Sequence, residues 1–148
     1  MGVLRIIKFR GKHIETGVWL YGSLYDDDGE MYILPNFPGS AIDYEDYQVD
    51  PNTVGEYLGR DDADGKPLYE GDVFTVGGKY PKVIRYIPEW HSFCVANLDT
   101  ITDPLTARWS DICKYQQPAP NWWKDFKDEI RIIGNEYDNP ELVRVKHL

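Results

Sequence analysis

Along most of the chain, apolar and β-branched residues come in short runs broken by Gly, Asp and Pro, the pattern of half-buried strands joined by tight turns rather than of long helices. "VLRIIKFR" opens with such a run, and "TGVWLYGSLYDDDGEMYILP" holds two more joined by an Asp/Gly turn, so residues 1–48 read as a strand followed by a hairpin. Pro35, Pro38 and Pro51 punctuate the acidic stretch that follows, which places a boundary near 48–51. The expected organisation is an N-terminal β-hairpin subdomain, 1–48, and a second part, 49–148.

In that second part Thr53, Val54, Tyr57 and Leu58 are assigned to one strand, Asp64-Gly65 turns the chain, and Leu68 and Tyr69 return. Val73–Val76, Val83–Ile87 and Ser92–Ala96 give three further short strands, split by Gly77-Gly78 and by Pro88-Glu89. Strands so short and so closely spaced predict a small barrel or a sandwich. The period changes in "TDPLTARWSDICKY", where Leu105, Trp109, Ile112 and Cys113 share one helical face behind Asp103 and Pro104. "PAPNWWKDFKDE" predicts another helical turn capped by Asn121, so the segment at about 98–128 is expected to be a helical excursion from the β framework. "IRIIGNEY" is then a strand ending at Gly134, and "NPELV" an Asn-capped, Pro-started turn of helix.

Charge narrows the functions this framework could serve. Sixteen basic residues face 25 acidic ones in 148, a formal charge of -9, so the long-range field repels phosphate backbones and anionic lipid. Direct nucleic-acid binding is therefore disfavoured, and the acidity is scattered through turns, as solubility requires. Cys94 and Cys113 lack CxxC spacing and a neighbouring histidine, which predicts two free thiols in a reducing compartment. No apolar run reaches the roughly 18 residues needed to span a membrane, the N-terminus lacks the layout of a signal peptide, and Ile6 stands where a myristoylation signal needs Ser or Thr. The expectation is a cytoplasmic protein with no membrane partner.

The polar clusters were tested against the chemistry they suggest. In "GRDDADGKPLYEGDV", setting Gly65 as the glycine of a calcium loop puts Asp62 and Asp64 at ligand positions but leaves Arg60 and Gly71 at the two strongest anchors. "LYDDDGEMYILP" fails in the same way, with Leu24 and Pro35 at the anchors. Both read as hairpin turns, and no metal site is assigned. His91 lies near Glu89 and Cys94, but strand alternation aims the thiol and the imidazole apart. Gly77-Gly78-Lys79 lacks the phosphate-loop frame. Asp72, beside Gly71 at a strand start, is better placed to hydrogen-bond amides of the preceding turn than to act as an acid. No catalytic residue and no cofactor are assigned; Asp72, Glu89 and His91 are the suspects an enzyme would have to use. Trp109, Trp122 and Trp123 form the densest aromatic region, and the choice there lies between core packing and a partner surface, where Trp is enriched.

Three stretches carry a resemblance: "IKFRGK" with the Trp-containing strand after it, "VDPNTVGEYLGRDDADGKPLYEGDVF", and "IRIIGNEYDNPELV". In these stretches the chain resembles the YopX-like family of bacteriophage and prophage proteins. The resemblance implies a mainly β protein with a few short helices, whose C-terminal part is an SH3-like small β-barrel beside the N-terminal β subdomain. It also implies phage or prophage origin and a host-cell cytoplasmic location, and it brings no activity, substrate or cofactor. The leading expectation is a non-enzymatic protein-interaction module that binds a host or phage protein or self-associates as a homo-oligomer. The alternative is a nucleic-acid-directed regulator, an acidic decoy of a DNA-binding protein; an enzyme is third.

Overall fold

The computed structural model describes residues 4–36, 43–98 and 116–143. Among these residues, ten strands and two short α-helices make the protein mainly β: β1 (Phe9–Lys12), β2 (Trp19–Asp27), β3 (Glu30–Leu34), β4 (Gln48–Val49), β5 (Gly55–Asp61), β6 (Pro67–Tyr69), β7 (Asp72–Val76), β8 (Lys79–Ile87), β9 (Ser92–Asn97), α1 (Pro120–Phe126), β10 (Ile130–Asn135) and α2 (Pro140–Val143). They form two antiparallel sheets, ordered β4-β3-β2-β1-β5-β6 and β10-β7-β8-β9, and among the described residues neither closes on itself. The chain divides into two compact units, Met1–Gly59 and Arg60–Leu148. The predicted helix around Trp109 lies outside the described residues.

In the first unit the β2–β3 hairpin turns at Asp28 and Gly29, both at positive φ, so Asp27 pairs with Glu30 and Tyr25 with Tyr32. The apolar run at the N-terminus becomes a strand only from Phe9, which pairs with Gly22; Leu4, Ile6 and Ile7 precede it and are exposed. Thr53 sits in a 3-10 turn, Pro51–Thr53, rather than in the strand expected there. Asp50 caps that turn by accepting from the Asn52 amide at 3.0 Å, and the Thr53 hydroxyl accepts from Lys12 N at 2.9 Å, so the threonine serves the turn and the β1 backbone. Ile33 and Val49 are fully buried in this unit, with Tyr32 and Tyr57 close to it.

In the second unit β7 is buried on both faces. Val73 joins Val83, Ile87, Cys94, Ala96 and Val143 in one core. Phe74 points the other way by strand alternation and is covered by Trp122 and Trp123 of α1, with ring centroids 6.5 and 6.1 Å away. The expected cap of α1 is corrected: Pro120 takes the first helical position and Ala119 precedes it, without a side-chain cap, so Asn121 lies inside the first turn.

Candidate functional site

The two aspartates singled out around the β5–β6 and β6–β7 turns each serve the backbone. Asp62 is buried; its Oδ1 accepts from the amides of Asp64 and Lys66, both at 2.9 Å, and its Oδ2 from the amide of Ile132 at 3.1 Å. Both carboxylate oxygens thus hold the β5–β6 turn closed and tie it to β10, 70 positions away in sequence. Asp72 is also buried, and its Oδ2 accepts from Tyr69 N at 2.8 Å across the turn that leads into β7. Cys94 lies within the core, where burial pushes its thiol up, while His91 caps a 3-10 turn on the surface and Glu89 is exposed. Among the described residues no three His, Cys, Asp or Glu side chains are placed to hold a metal ion.

A buried ionic cluster escaped the sequence reading. Glu136 is 2% exposed, and one of its oxygens accepts from an Arg85 guanidinium nitrogen at 2.9 Å. Arg85 Nε is buried with no hydrogen-bond partner. Burial pushes the Glu136 carboxyl above its ordinary value of 4.5, with the Arg85 charge opposing it, and burial beside Glu136 pushes the Tyr137 phenol up as well. The Glu136 amide donates to Gly71 O at 2.9 Å, so the stretches "YEGD" and "GNEY" are packed against one another. Their glycines follow from that packing. Gly71 has φ +93°, and a Cβ there would stand 2.8 Å from Tyr137 Cε2. At Gly134 a Cβ would meet the Asn139 side chain, whose oxygen accepts from Asn135 N at 3.2 Å. A carboxylate so enclosed holds β8, β10 and the turn before β7 together and is not presented to a substrate.

An open concavity among the described residues of the second unit lies elsewhere. A groove of about 360 Å³ runs along α1 between Trp122, Asn121, Asp125 and Phe126 on one side and Lys82, Val95 and Gln116–Ala119 on the other. Gln116 bonds the backbone of Val95 in both directions, at 2.8 and 2.7 Å, which fixes the groove floor to β9. Trp122 and Trp123 meet edge to face at 5.0 Å, and Arg60 lies over the Trp123 ring at 5.3 Å. Both tryptophans are half-buried: they cover Phe74, and Trp122 also lines the groove. Trp109 falls outside the described residues.

The first unit carries a second feature the sequence reading missed, a cluster of Tyr25, Tyr32 and Tyr44 with ring centroids 5.1 to 5.9 Å apart. The pairing of Tyr25 with Tyr32 was legible once the turn is placed at Asp28-Gly29, because a two-residue loop fixes the register. Tyr44 comes from a 3-10 turn capped by Asp43, and no sequence period announces its approach.

One solved structure shares the architecture. A chain from the crystal structure of protein EF1440 from Enterococcus faecalis has the same fold at a TM-score of 0.56, with 20% identity over 94% of this chain and 99% of that one. No curated protein matches the chain. The YopX protein family matches residues 8–144, from just before β1 to just past α2, and the chain therefore belongs to that family.

Proposed function

We propose that the protein is a non-enzymatic interaction module whose α1 groove receives a segment of another polypeptide. The observation that carries this is the division of labour in the second unit. Its buried carboxylates Asp62, Asp72 and Glu136 are held by backbone amides or by Arg85, whereas Trp122 lines an open groove with Asn121 and Asp125 exposed beside it. An aromatic wall flanked by amide and charged groups suits a polypeptide better than a reacting small molecule. Under this reading the protein is of phage or prophage origin and works in the host cytoplasm on a host or phage protein, or on a second copy of itself. An SH3-like arrangement of the second unit belongs to the same reading. Its support is the pair of backbone bonds from Ala63 N to Ile130 O at 2.7 Å and from Gly71 N to Ile84 O at 2.8 Å, which join the β5–β6 and β6–β7 turns to the four-stranded sheet.

The test uses Asn121→Arg, which fills the groove without touching Phe74. Light scattering and quantitative capture from host extract are compared for the two proteins. The expected result is self-association or a defined partner with the native chain and its loss in the variant. A native chain that stays monomeric and retains no partner, or a partner retained equally by both, would count against the groove.

A second reading has its own observation. Residues 13–59 contain ten carboxylates and no Lys or Arg, the charge distribution of a decoy that occupies a DNA-binding protein. A decoy predicts that the chain displaces DNA from its target without binding DNA itself. Direct phosphate contact would instead show as affinity for DNA that falls steeply with salt.

A further inference from the structure

The Tyr25/Tyr32/Tyr44 cluster stands apart from the other aromatic groups of the first unit in what lies around it. Tyr32 is buried and forms the floor; Tyr25 and Tyr44 are 42% and 38% exposed and stand edge to face above it, at 74° to one another. The register places Asp27 and Glu30 on the same face as Tyr25 and Tyr32, and Tyr32 Oη donates to Glu30 Oε2 at 3.1 Å. Asp43, Glu45 and Asp46 flank Tyr44. The phenols feel this surround. Burial and the Glu30 carboxylate push Tyr32 up to about 12, and the Glu45 charge, with burial and Asp27, pushes Tyr44 up.

Elsewhere in the unit, aromatic rings already hold cations. Lys8 Nζ lies 4.3 Å from the Tyr57 ring centre, Arg10 and Lys12 lie over Trp19 at 4.5 and 5.6 Å, and Arg5 pairs with Glu56 at 2.6 Å. Those four are the only basic residues before Arg60. The tyrosine face, ringed by carboxylates, therefore has the partner chemistry that this unit satisfies internally at Trp19 and Tyr57, but the unit has no further Lys or Arg to supply it. Its complement must come from outside: a planar cation that stacks on a phenol ring while its N–H groups reach a carboxylate. Arginine does both, and lysine, a point charge without a stacking plane, does only one.

We propose that the face formed by Tyr25, Tyr32 and Tyr44 with Asp27, Glu30 and Glu45 docks an arginine-rich segment of a partner protein. This surface is in the other unit from the α1 groove and does not depend on it. The guanidinium planes would lie on Tyr25 and Tyr44, with the carboxylates accepting from them.

The test titrates the full chain into a fluorescein-labelled peptide of alternating Arg and Gly, read by anisotropy at low and at physiological salt. The peptide is expected to bind, and Tyr25→Ser/Tyr44→Ser, which leaves the net charge unchanged, is expected to weaken it at least about tenfold. Glu45→Lys, an exposed change that leaves all three rings in place, should weaken it too. The same peptide with Lys for Arg should bind more weakly. Equal binding by the native chain and the tyrosine variant would show attraction to net charge alone and overturn the proposal. Equal affinity for the Lys and Arg peptides, or binding of a labelled oligothymidylate in their place, would overturn it as well.

Discussion

Asp62 shows at the scale of one residue how an acid in a ligand-like motif can serve the backbone alone. Three amides point at its two oxygens, and one of them, from Ile132, belongs to a strand far along the chain. Removing the carboxylate leaves three donors without their charged acceptor, and a hydrogen bond to a charged group is worth roughly 1.5–3 kcal/mol, so Asp62→Ala is expected to lose about 3 kcal/mol of stability. Asp62→Asn keeps an oxygen for the two local amides and should lose less. Urea denaturation of both variants checks the order; equal losses would mean that the two local bonds contribute little beside the one to Ile132. The sequence showed that Asp62 sits in a turn but could not show the third bond, because nothing local marks Ile132 as its donor.

At the scale of elements, the hairpins were legible and the packed corners were not. Asp28-Gly29 and Gly77-Gly78 sit between alternating runs, and both turns fall where a positive φ is needed. Thr53 was misassigned because its β-branched side chain suits a strand, whereas the Asp50 cap and Pro51 bend the backbone one turn earlier. Asn121 was misassigned as a cap because Pro120 already satisfies the first-turn geometry. The corner where "YEGD" meets "GNEY" joins elements distant in sequence, and Gly71 is closely enclosed there. Gly71→Ala would face both the left-handed φ of +93° and Tyr137 at 2.8 Å. Backbone strain alone is worth roughly 1–3 kcal/mol, so a loss of at least about 2 kcal/mol is expected. Made in a Tyr137→Ala background, the same substitution should cost less, because only the strain is left; an equal cost in both backgrounds would show that the clash relaxes freely.

At the scale of the whole molecule, the distribution of charge sets how stability answers to pH. Glu136 titrates above its ordinary 4.5 in the folded protein because burial outweighs Arg85. The folded state therefore holds this proton more tightly than the unfolded chain does. The stability that Glu136 contributes is fully present below the ordinary value and is lost as pH rises through the folded one. Glu136→Gln cannot titrate, so the stability of the native chain relative to this variant should fall as pH is raised from below 4.5, as measured by urea denaturation across that rise. A constant difference, or one that rises with pH, would mean that the Arg85 pair outweighs burial. The same scale separates the two proposed surfaces. Acidic residues crowd 13–59 without a basic one among them, and the aromatic groove lies in the unit that follows.

The sequence by itself determined the β character, the two-residue turns, the family and the acidic field, because each depends on residue type at short spacing or on simple count. Where the carboxylates point, which glycines are forced by a neighbour, and which aromatic rings are covered were decided only when distant segments met. Trp122 and Tyr25 make the contrast plain. Both are large aromatic side chains in local patterns compatible with core or surface, and only Phe74 beneath the one and Tyr32 with Tyr44 beside the other settle which part of each ring is left to water. Solvent exposure is a property of the assembled surface, and a local pattern specifies a direction along its own element without specifying what stands opposite.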